Sequence, residues 1–111
     1  RMDEAAEVAC RTDDILARYG GEEFLIVMPS TALEEAHRQA DTVLDAIRSL
    51  RVVHDGRTLP VTASAGIAVA ASTEPSSRLL RRADAALYRS KDAGRDCVTR
   101  SRDSLRVVRP A

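Results

Sequence analysis

The chain has 111 residues, enough for one domain with one core. Hydrophobic residues make up 44 % and charged residues 31 %, and seventeen basic side chains balance seventeen acidic ones. That balance favours neither long nucleic acid nor an anionic membrane, and one Phe, two Tyr and no Trp offer no aromatic platform for stacked bases.

Met2, Ala5, Ala6 and Ala9 recur at helical spacing and predict the end of an amphipathic helix over 1–10, a pattern expected to begin upstream of Arg1. Arg11-Thr12-Asp13-Asp14 is a polar break. Two strand-like runs follow, split by Gly20-Gly21. They predict a tight hairpin with strands near 15–19 and 22–28, because glycine takes positive φ cheaply. Pro29 ends the second strand, since proline cannot donate to a ladder. Thr31 and Glu34 have capping-box spacing. Leu33, Ala36, Ala40, Val43, Leu44, Ile47 and Leu50 form one apolar stripe and predict a helix over 32–50.

Residues 51–54 read as a short strand and Asp55-Gly56 as a hairpin turn. Leu59, Val61, Ala63, Ala65, Ile67 and Val69 then alternate, which predicts one strand. Its other face holds Thr62, Ser64, Gly66, Ala68 and Ala70, small side chains of the kind found where a helix packs closely. After a loop over 72–77, Ser76 or Ser77 is the expected cap of a helix carrying Leu79, Leu80, Ala83, Ala86 and Leu87 inward. Gly94 is the expected stop. Cys97-Val98-Thr99 reads as a last short strand, and a tail begins at Arg100. The order implies an α+β fold, a mixed or antiparallel sheet covered by helices. Cys10 and Cys97 lack metal-ligand spacing and read as reduced thiols of a cytoplasmic protein. The least polar run, 63–71, is too short to span a bilayer, and no signal peptide is visible. His37 and His54 have no partner at catalytic spacing. No G-x-G-x-x-G or Walker A pattern is present.

Three clusters carry chemistry-bearing residues. Glu22 and Glu23 follow a turn without side chains, where a large ligand can approach and an acid can hold a hard cation; a hairpin with solvated glutamates has the same pattern. Strand alternation sends the two to opposite faces. Lys91 and Arg95 are four apart across a helix end, where cations are favoured in any case. Arg11 and Asp14 stand as R-x-x-D in the polar break.

Arg18-Tyr19-Gly20-Gly21-Glu22-Glu23-Phe24 resembles the signature of the GGDEF family, the diguanylate cyclases, in its GGEEF form. Residues 82–96 resemble the family's second motif, R-A-D-x-A-L-Y-x-A-K-x-x-G-R-N, with Ser90 for Ala and Asp96 for Asn. Ser64-Ala65-Gly66-Ile67 resembles its S-x-G-[IV] strand. The resemblance implies a nucleotide-cyclase palm-like fold and condensation of two GTP to cyclic di-GMP plus pyrophosphate, in bacterial second-messenger signalling. It implies Mg²⁺ or Mn²⁺ as cofactor and a homodimer as the working form.

By the same resemblance Glu22 would bind the metal, and Glu22 and Glu23 are both candidates for the general base. Gly20 and Gly21 would lie against the nucleotide, and Lys91 and Arg95 would hold the GTP phosphates. At its offset from the glycines, Arg11 and Asp14 resemble the inhibitory product site, with Arg38 as a second arginine. The match covers residues 1–100 as a partial GGDEF domain, with 101–111 as a tail. It spans roughly the last two thirds of a family domain. The first strand, with its metal-binding aspartate, and the helices bearing the guanine readers are not matched. The 111 residues alone are therefore expected to be inactive. The alternative is a non-catalytic cyclic di-GMP receptor acting through R-x-x-D.

Overall fold

In the computed structural model, residues 2–20 and 23–102 are described. The elements in chain order are α1 (Met2–Ala9), β1 (Ile15–Gly20), β2 (Glu23–Val27), α2 (Leu33–Arg48), β3 (Val52–His54), β4 (Arg57–Leu59), β5 (Ala65–Ile67), α3 (Ser76–Asp92) and β6 (Val98–Arg100). They divide into two units, Arg1–Ala63 and Ser64–Ala111. Helices and three two-stranded sheets, two antiparallel and one parallel, make the mixed α+β fold expected.

The first unit is built on the α2 stripe. Ala36, Ala40, Val43, Leu44 and Ile47 are buried along one face of α2. Val43 and Ile47 form a cluster with Ala6 of α1, and Met2, Ala5, Ala9, Leu16, Ile26, Val61 and Ala63 pack against it. Gln39, also buried, donates from Nε2 to the Ala9 carbonyl at 2.7 Å and so satisfies an acceptor at the end of α1. The β1–β2 hairpin offers one face to this core, because Leu16 and Ile26 are cross-strand partners.

Two expectations fail here. Thr31 does not cap α2: the N-cap is Ala32, with no side-chain cap bond. The Thr31 hydroxyl donates to the Pro29 carbonyl at 3.0 Å and accepts from Arg11 at 2.9 Å, so it has been recruited by the loop instead. The single strand expected over 59–69 is two strands. β4 ends at Leu59, Pro60 follows, and pairing resumes only at Ala65. Val61 and Ala63 still face the core across the gap. Alternation therefore marks an extended backbone with one buried side and does not require a ladder partner.

The second unit is a β5–α3–β6 crossover. β5 and β6 pair in parallel, Ala65 with Val98 through Ile67 with Arg100. Gly66 lies beneath α3 so closely that a Cβ there would sit 2.1 Å from the Leu87 nitrogen and 2.3 Å from the Ala83 carbonyl oxygen. Gly66 on this face thus serves helix packing, as expected. Ser90, fully buried, donates to the Ala65 carbonyl at 2.7 Å and accepts from the Thr99 hydroxyl at 2.5 Å. Its hydroxyl joins α3 to both strands. Neither Ser76 nor Ser77 caps α3; the N-cap is Pro75, again without a side-chain bond. The tail starts later than expected. Arg100 is in β6, and Ser101 donates its backbone N–H to Ile67 at 2.8 Å and accepts from Arg82 at 3.1 Å. The rest of the expected tail, 103–111, lies outside the described residues.

Arg82 anchors the loop before α3. Its Nε and one terminal nitrogen fork onto Glu74, each at 2.7 Å, and it also reaches the Val69 carbonyl at 2.6 Å. These Arg82 bonds, then the Ala71 backbone N–H, pull the Glu74 carboxyl down to about 2 from its ordinary 4.5. A depressed folded pKa gives stability that is complete above the unfolded value and is lost as pH falls toward the folded one. Melting temperature should therefore drop as pH is lowered from about 4.5 to about 2. Glu74→Gln should melt lower at neutral pH and lose much of that acid slope. Parallel acid slopes in the two proteins would contradict this assignment.

Candidate functional site

The hairpin turn is set by register. Ile15 pairs with Val27, Leu16 with Ile26, Ala17 with Leu25 and Arg18 with Phe24, and then Gly20 pairs with Glu23. One extra residue, Tyr19, is accommodated on β1, which is a β-bulge. The bulge carries β1 through Gly20, one residue beyond the expected strand end, and starts β2 at Glu23. Gly21 and Glu22 are the two residues between the strands, and both lie outside the described residues. Glu23 is exposed at the start of β2.

On the core-facing side, the Arg18 guanidinium lies over the Phe24 ring at 5.9 Å, a cation–π distance. Arg18 and Phe24 line a recess of about 180 Å³ with Glu4, Glu7 and Leu16. Small-molecule sites usually occupy roughly 300–1,000 Å³, so this recess alone is too small for a nucleotide. The opposite face of the hairpin carries Ile15 and Val27, paired with each other and exposed at 58 % and 46 %.

Lys91 and Arg95 are positioned by the end of α3. The Arg95 N–H donates to the Ser90 carbonyl at 2.9 Å and the Gly94 N–H to the Lys91 carbonyl at 3.4 Å. This is a Schellman ending, and Gly94 supplies the left-handed turn at φ +114°. Arg95 and Asp96 follow with positive φ. Both cationic side chains are exposed. Lys91 and Arg95 belong to the second unit, and the hairpin turn belongs to the first.

Arg11 and Asp14 do come together. The Asp14 carboxylate accepts from Arg11 Nη2 at 3.0 Å, from Nε at 3.2 Å and from the Arg11 backbone N–H at 2.9 Å. Those Arg11 hydrogen bonds hold Asp14 below the usual carboxylate range and raise the Arg11 guanidinium further. Burial pushes the neighbouring Cys10 thiol up, with Asp14 adding to it, which keeps the sulfur protonated. Arg38 is exposed on α2. The α2 residue that meets Arg11 is Glu35, at 2.8 Å, one turn earlier. Sequence reading missed Glu35; the only available signal was its position three residues before Arg38, on the same side of the helix.

Among the described residues, no three acidic, histidine or cysteine side chains gather as a metal cage. The start of β2 instead offers the single exposed carboxylate of Glu23. An oxygen donor of that kind suits a hard cation. No helix among the described residues is long and apolar enough to cross a membrane.

Comparison with known proteins agrees with this geometry. Residues 3–97 match the family described as diguanylate cyclase, GGDEF domain. Diguanylate cyclase DgcP of Pseudomonas aeruginosa is 41 % identical over 86 residues, covering 78 % of this chain and 13 % of that protein. Diguanylate cyclase A of Treponema denticola is 34 % identical over 108 residues, covering 94 % of this chain and 29 % of that one. Among solved structures, diguanylate cyclase SiaD of Pseudomonas aeruginosa, crystallised with its activator SiaC, has TM-score 0.85 and 38 % identity over 89 % of this chain and 38 % of its own. The GGDEF domain of DgcB from Caulobacter crescentus, in complex with c-di-GMP, has TM-score 0.84 and 28 % identity over 90 % of this chain and 60 % of its own. The chain thus spans less than two thirds of each of these proteins. The bulged GGEEF hairpin, the basic end of α3 and these matches together place it: the chain belongs to the GGDEF family of diguanylate cyclase domains.

Proposed function

We propose that the chain is part of a cytoplasmic diguanylate cyclase domain, which condenses two GTP into one cyclic di-GMP and two pyrophosphates. The observation that carries this reading is the bulged hairpin of the GGEEF stretch, in which Gly20 pairs with Glu23. Backbone without side chains lets a nucleotide lie against the turn. In each half-reaction a ribose 3′-oxygen attacks the α-phosphorus of the other GTP. An O–P bond forms, the bond to pyrophosphate breaks, and the hydroxyl proton leaves to a base. Glu22 and Glu23 are the candidates for that base. Lys91 in the last turn of α3 and Arg95 just past its end, both exposed, neutralise phosphate charge as pyrophosphate departs. Glu22 would hold Mg²⁺ or Mn²⁺, which when bound supplies Lewis-acid polarisation of the α-phosphate. Two GTP that exchange hydroxyls across two phosphates require two sites face to face, hence a homodimer. The test is chromatography of the products from GTP and Mg²⁺ with this chain joined to the first strand and helices it does not match: cyclic di-GMP that vanishes on chelation supports the reading, and hydrolysis to GDP alone contradicts it.

A second reading, product binding at Arg11 and Asp14, is favoured by one observation. The pair is already assembled in the first unit, with Arg11 aligned by a buried carboxylate. Such a site binds cyclic di-GMP without needing turnover, as a receptor or as a brake on the enzyme.

A further inference from the structure

Arg11 is occupied on two edges. Nε and Nη2 face Asp14, whose side chain is 1 % exposed. The other edge is covered by Glu35, which is exposed, and by Thr31, which is half-buried. Nη1 donates to Glu35 Oε2 at 2.8 Å, and Nη2 also donates to Thr31 Oγ1 at 2.9 Å. A guanine edge or a phosphate is best recognised by two parallel N–H bonds from one guanidinium edge. Asp14 cannot vacate its edge without stranding a buried charge. Glu35 can vacate the other, because its side chain is 53 % exposed and water replaces its lost bond.

We infer that Glu35 is an internal competitor for the product site: its carboxylate holds Nη1 of the Arg11 edge that cyclic di-GMP takes, and product binds as Glu35 swings into water and Nη2 gives up the Thr31 hydroxyl, which keeps its own bond to Pro29. This rests on the product-site reading and assigns its regulation. Asp14 is then a positioning residue that orients Arg11. Glu35 sets the product concentration at which the site fills, by contact and by repelling an anionic dinucleotide.

The test is calorimetric titration of cyclic di-GMP into wild type, Glu35→Gln, Glu35→Asp and Arg11→Ala, with a melting curve for each. Glu35→Gln removes the charge and should bind about threefold to tenfold tighter, at a nearly unchanged melting temperature. Glu35→Asp keeps the charge but shortens the reach, and should fall between wild type and Glu35→Gln. Arg11→Ala should bind at least about tenfold more weakly than wild type. A merely structural ion pair would give weaker or unchanged binding in Glu35→Gln. Arg11-dependent binding with no gain in Glu35→Gln overturns this inference alone. Binding that is absent, or equal in wild type and Arg11→Ala, overturns the product-site reading and this inference with it.

Discussion

Glu22→Gln should lower cyclic di-GMP formation by roughly two or more orders of magnitude in a catalytically competent form of the domain. The substitution keeps the size and polarity of the side chain and removes its charge. The hairpin should be indifferent to it, since Gly20 and Glu23 close the pairing on either side. The loss should therefore appear in turnover and not in melting temperature. Lys91→Ala should cost a similar factor by a different route. Lys91 is exposed in the last turn of α3, so its removal should spare the fold and take away charge at the departing phosphates. Loss confined to KM would mean that Lys91 holds ground state and transition state equally. Steady-state kinetics on both variants separate these cases, and wild-type rates in both would remove them from the machinery.

Gly66→Ala should destabilise the second unit by about 3 kcal/mol or more, at or above the usual range for overpacking. The added Cβ would meet the Leu87 nitrogen at 2.1 Å and the Ala83 carbonyl oxygen at 2.3 Å. Both are backbone atoms of α3, so no rotamer change relieves the clash. Either the helix lifts off β5 or the unit does not form. Gly56 is the comparison: its φ is +75°, and a Cβ there meets nothing within 4 Å. Gly56→Ala should cost only the left-handed backbone penalty, about 1–2 kcal/mol. Urea midpoints for the two variants give the ordering directly. A Gly66→Ala protein as stable as Gly56→Ala would contradict the close α3–β5 packing.

The fold was legible where one face of an element is buried. The α2 stripe named the residues that α2 buries, because a 3.6-residue period leaves little freedom once one side meets a core. The hairpin and the Gly94 ending were legible from glycine positions. The break between β4 and β5 was not, because Val61 and Ala63 keep the alternation of a strand while packing without a partner. The cap of α2 was misread for a physical reason. Hydroxyls near a helix start have other partners within reach, and the Thr31 hydroxyl donates to the Pro29 carbonyl and accepts from Arg11. At the candidate sites, motifs located Arg11, Asp14, Lys91 and Arg95, but not what surrounds them. Glu35 lies 24 residues from Arg11 and is exposed, so no periodicity or spacing ties the two together.

The central claim is that this chain supplies the metal carboxylate and phosphate cations of a diguanylate cyclase, while guanine reading and a second metal ligand come from family elements that these residues do not match. The direct measurement is cyclic di-GMP formed from GTP and Mg²⁺, by the 111-residue chain alone and by the same chain joined to a first strand and helices bearing a D-x-D-x-F-K-x-x-N-D pattern. Product only from the joined form, lost with Glu22→Gln, is the expected result. Glu22-dependent product from the 111 residues alone, or none from either form, would contradict the claim.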